Sequence, residues 1–76
     1  MLELQKLVLE NVCENKYLFE KELRKSFNLL EYDDLSRLYY WAIEEFKERY
    51  YSLINCVYMD LDFRKSYIKT YGINNR

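Results

Sequence analysis

Three pairs of carboxylates stand close together in the chain: Asp33–Asp34, Glu44–Glu45 and Asp60–x–Asp62. With Cys13 and Cys56 they are the side chains that could do chemistry. Paired carboxylates serve general acid–base work, and a thiol beside a base serves nucleophilic attack. The sequence has no histidine, so no thiol or hydroxyl has an imidazole to activate it. The first and third carboxylate pairs fall where helices are expected to begin, and a short acidic side chain there accepts from the free N–H groups of the first turn. The second pair falls on a polar helix face. Asp60–x–Asp62 could touch a cation, but a lone pair of that kind reads as capping. The cysteines show no CxxC or finger spacing, so a four-ligand zinc site is not expected. Both read as small core residues. With one glycine in the chain there is no phosphate-cradling loop. The expectation is no enzyme, no cofactor and no metal.

The elements that position these groups read as helices throughout. The chain has 76 residues, half of them apolar, with one Gly, no Pro and nine Tyr. Sandwiches need many turn residues, and so few breakers favour an all-α fold. One long helix over about 34–57 organises the rest. Its apolar face collects Leu38, Tyr39, Ala42, Phe46, Tyr50, Leu53 and Val57 at helical spacing, and Asp33 or Asp34 caps its start. A first helix over 2–14, with Leu4, Leu7, Val8, Val12 and Cys13 around much of its girth, is expected at the centre of the core and to end at Asn15. A second over 17–27 presents Phe19, Leu23 and Phe27, pairs Glu20 with Arg24 four residues on, and ends near Asn28. The connection Leu29–Tyr32 is expected to pack down. A short fourth helix over 61–71, capped by Asp60 or Asp62, presents Phe63, Tyr67 and Tyr71 and stops at Gly72; Ile73–Arg76 frays. A strand over Tyr58–Phe63 is the weaker alternative. The expected fold is a small bundle of about four helices, one long and three short, forming a single domain over residues 1–76. Its core packs Leu38, Ala42, Phe46 and Leu53 against Leu4, Val8, Val12, Leu23 and Phe63.

Function is then sought on the surface. Tyr40, Tyr51 and Tyr58, at spacings of eleven and seven, fall on one line of a straight helix. Trp41 lies on the opposite flank, and Arg37, Glu44 and Glu48 lie opposite the core. Tyr and Trp are the side chains most enriched at binding hot spots. The bland alternative is that neighbouring helices cover these rings. Arg49, inside the apolar face, is expected either to snorkel to its edge or to pair with a carboxylate, Glu45 four residues before it being favoured.

Net charge is −1, so no global field selects nucleic acid or membrane. The start of the chain lacks the pattern of a signal peptide, and no apolar run is long enough to span a bilayer. A cytoplasmic location is expected. Residues 63–76 carry Arg64, Lys65, Lys69 and Arg76 with no acid. These cations suit the negative end of a last helix, or else a phosphate-binding segment. A helix–turn–helix reading is disfavoured, because Glu31, Asp33 and Asp34 at the head of the long helix would meet phosphates with like charge. Phe, Tyr, Met, Ile, Asn and Lys make up 32 of the 76 residues, which points to AT-rich coding of the kind found in low-GC bacteria, phages and mobile elements. The sequence therefore leads to a small protein-binding regulator or inhibitor. It would dock sterically on a larger cytosolic protein, one that processes nucleic acid for example, or on a second copy of itself along the Tyr40/Tyr51 flank. The rival is a nucleic-acid-binding regulator using the basic segment.

Overall fold

A computed structural model describes the backbone of residues 1–67 and the side chains of residues 1–60. It contains three helices, two short and one long: α1 (Leu2–Val12), α2 (Lys16–Leu29) and α3 (Tyr32–Tyr67). Asn15 accepts at 3.0 Å from the Leu18 N–H through its side chain. It therefore caps the start of α2 rather than closing α1. Asn28 lies inside α2, which ends on Leu30 in an extended conformation.

The long helix does not run straight. Phe46 (φ −123°, ψ 17°) and Tyr50 (φ −126°, ψ 21°) leave helical geometry, and the chain reverses between them. The Tyr39 hydroxyl donates to Asn55 Oδ1 at 2.5 Å, and the Tyr58 hydroxyl donates to the Leu35 carbonyl at 2.9 Å. A straight helix would hold those pairs about 24 and 35 Å apart. Straight, α3 would also run about 54 Å, whereas the longest dimension of the molecule is 42 Å. Residues 32–45 thus form a first limb and residues 51–67 a second, lying antiparallel. The physical reason is coverage: α1 and α2 are too short to bury an apolar stripe that long, so α3 covers itself.

Leu9, Phe19, Leu23, Leu38, Ala42, Ile54 and Val57 have no exposed surface, with Leu30, Leu35 and Tyr50 close behind. The apolar connection after α2 packs down through Leu30, although Leu29 stays exposed. Phe19 stacks on Tyr50 at 4.4 Å and meets Phe46 edge-on at 5.1 Å. The expected core is thus partly right. Leu23, Leu38 and Ala42 are buried, Val8, Val12, Phe46 and Leu53 half-buried, and Leu4 is 56% exposed. The α1 helix is not central. Its inward positions are Gln5 and Leu9, because α2 and the two limbs already enclose the core and leave α1 one side to cover.

The separate last helix is also corrected. The α3 helix continues through Tyr67 without a new start, which also excludes the strand over Tyr58–Phe63. Asp60 is mid-helix and pairs with Arg24 at 3.2 Å instead of capping, while Glu20 meets the same Arg24 at 3.1 Å. The Phe63 side chain, residues 68–71, Gly72 and Ile73–Arg76 lie outside the described residues.

Candidate functional site

The fold-back of α3 creates a cleft. Its walls are Leu35, Ser36, Tyr39 and Tyr40 from the first limb and Asn55, Tyr58 and Met59 from the second. Phe27 of α2 and Tyr32 complete the lining, and the cleft encloses about 340 Å³. Ligand pockets run from about 300 to 1,000 Å³, so this one takes a side chain or a small group. The floor is locked by polar tips on aromatic bodies. Tyr39 and Tyr58 meet edge-on at 4.9 Å, Phe27 meets Tyr58 at 4.7 Å, and the two tyrosine hydroxyls bind across the limbs. The rim is open, with Tyr40 72% and Met59 73% exposed. None of the nine lining residues carries a formal charge.

The expected tyrosine strip does not survive the bend. Tyr40 stands on the first limb, Tyr51 and Tyr58 on the second. Tyr40 and Tyr58 both line the cleft, one from each limb. Tyr51 is exposed but outside the lining, and its carbonyl accepts from Asn55 Nδ2 at 3.0 Å. Trp41 faces the other way. It is half-buried against Phe46, with the Lys6 ammonium of α1 lying 5.7 Å from its ring centre. It is packing, not an exposed anchor. Arg37 is exposed and paired to Asp34 at 3.0 Å.

Glu44 and Glu48 sit at the bend with Glu14, Glu45, Lys47 and Arg49, around a second, polar concavity. Arg49 does not pair with Glu45 there. It donates to the Cys13 carbonyl at 3.0 Å and approaches Glu14 at 3.6 Å, whose charge raises the Arg49 pKa. Tyr50 donates to the same carbonyl at 2.7 Å. The local pairing fails because the bend swings Arg49 towards the end of α1. Cys13 is half-buried, whereas Cys56 is exposed and not a core residue; both are free thiols. Among the described residues no three cysteine or acidic side chains are grouped to hold a metal ion, and no helix is long and apolar enough to cross a membrane. The side chains of Arg64 and Lys65, and all of Lys69 and Arg76, lie outside what the structure describes.

The sequence pointed to Tyr40 and Tyr58 but not to Tyr32, Ser36, Asn55 or Met59 as companions. Only the reversal brings residues 32–40 opposite 55–59, and no local signal marks it. No family model, curated protein or solved structure matches the chain.

Proposed function

We propose that the protein is a small non-enzymatic regulator or inhibitor that binds a larger protein through the cleft between the limbs of α3. The cleft itself carries this reading: an uncharged aromatic hollow with open Tyr40 and Met59 edges. Such a site suits one apolar or aromatic side chain of a partner. Tyr supplies area at low entropic cost, and Met adapts its shape to what it meets. Burying a charge there would go uncompensated, which favours a neutral anchor. Blocking is then steric, and the exposed Glu44 and Glu48 at the bend, with Arg37 on the first limb, serve as a polar surround.

The test compares partner capture by wild type and by a Tyr40→Ala/Met59→Ala variant of unchanged circular dichroism melt. Truncating hot-spot side chains typically costs at least about 2 kcal/mol, near thirtyfold in affinity, so capture should drop by that factor or more. Tyr51→Ala, outside the lining, should leave it within a factor of a few. Unchanged capture by the double variant moves the site elsewhere. Binding that falls steeply with log salt would instead point to phosphate contacts by Arg64, Lys65, Lys69 and Arg76.

A further inference from the structure

The bend in α3 is made without turn chemistry, and from this we infer that the second limb exchanges between two copies of the chain, giving a domain-swapped dimer in which α3 is straight. Glu44–Tyr51 contains no Gly, Pro, Asn, Asp or Ser. Every residue in it extends a helix acceptably, and Glu, Lys and Arg do so well. The apolar stripe from Leu38 to Val57 keeps one helical phase straight through the reversal. What departs from a continuous helix is the backbone of two residues, Phe46 and Tyr50. Tertiary contacts, not local preference, hold the chain folded back.

Those contacts are of two kinds. Across the limbs lie the Tyr39–Asn55 and Tyr58–Leu35 hydrogen bonds and the edge-on Tyr39–Tyr58 pair. In a swap each of these re-forms between copies with its chemistry unchanged, which is why exchange of an element is a low-cost route to a dimer. At the hinge itself lie the bonds of Arg49 and Tyr50 to the Cys13 carbonyl and the packing of the Phe46 and Tyr50 rings on Phe19. Straightening gives those up and returns Phe46 and Tyr50 to helical geometry. It also sets Glu45 four residues before Arg49 in the favourable orientation of a helical pair. The occupant of the vacated face is therefore a second copy, because only that copy carries a second limb fitted to it. Each lobe of the swapped dimer keeps a complete cleft, so the inference stands apart from what binds there.

The experiment refolds the full chain from guanidinium over a range of concentrations and sizes the product by sedimentation. The expected result is a dimer fraction that rises with refolding concentration and persists on later dilution, since reversal requires unfolding. Spin labels at Tyr40→Cys and Met59→Cys, in a Cys13→Ser/Cys56→Ser background, then read the hinge within single chains, the labelled protein being diluted into unlabelled chain. In the monomer both labels face one cleft; on a straight helix positions nineteen apart are separated by about 28 Å. The dimer should show the longer separation and the monomer the shorter. A Gly-Ser-Gly-Ser insertion after Glu48, which frees the reversal and breaks the straight helix, should abolish the dimer. Monomer at every refolding concentration overturns the inference, as does a dimer that keeps the short separation. Should the insertion variant fail to fold, the label distances alone decide.

Discussion

Gln5 and Ser26 are polar residues buried in an otherwise apolar seam between α1 and α2. The Gln5 amide donates to Ser26 Oγ at 2.8 Å and to the Glu22 carbonyl at 3.3 Å, and Ser26 donates to that carbonyl at 3.1 Å. Removing one member strands the other away from water, at about 1–3 kcal/mol. Gln5→Leu and Ser26→Ala should each destabilise by that order in urea melts. The double variant should lose less than the two singles added together, and strict additivity would show that the groups do not depend on each other. Neither residue stood out in the sequence. A lone Gln on a helix reads as solvated, and Leu9 one turn on, fully buried, was not singled out in the sequence either. Large apolar residues were more legible: Phe19, Leu23, Leu38, Ala42 and Val57 fall where periodicity put them. Leu4 and Leu7 do not, since a helix apolar over most of its girth gives periodicity nothing to choose between.

At the scale of elements, helical class and rough limits follow from the scarcity of breakers and the spacing of apolar residues. The caps follow less well. Asn15, expected as a stop, is a start: its side-chain oxygen takes one of the first free N–H groups of α2. Asn15→Ala should cost about 0.5–2 kcal/mol, read as a lowered melting temperature, while Asn28→Ala, inside the last turn of α2, should be close to neutral or mildly stabilising. An equal loss at both positions would place the cap elsewhere. The bend of α3 was not legible at all. Its sequence states a helix, and the reversal is decided by how little of the stripe α1 and α2 can cover. That single decision also moved the candidate site. Residues collinear on a straight helix were parted, and residues some twenty positions apart were brought into one cleft.

For the whole molecule, the Cys13 carbonyl at the end of α1 has an importance out of proportion to its size. Two donors from the bend, Arg49 and Tyr50, converge on it, and the Tyr50 ring stacks on Phe19 of α2. The end of α1 and the bend of α3 are thus fastened at one atom. Local openings in proteins occur in cooperative units whose members exchange their amide hydrogens together. Loosening α1 would release both donors, and unbending α3 would uncover the end of α1, so the two motions form one such unit. Amides of α1 near Val12 and of α3 near Ile54 should therefore share one opening free energy in native-state hydrogen exchange. Tyr50→Phe should lower both together, by about 0.5–1.5 kcal/mol for the lost bond. A drop confined to α1 would mean that the fastening is one-sided. Where the drop is shared, the timetable of hydrogen exchange would show two helices that keep the same clock.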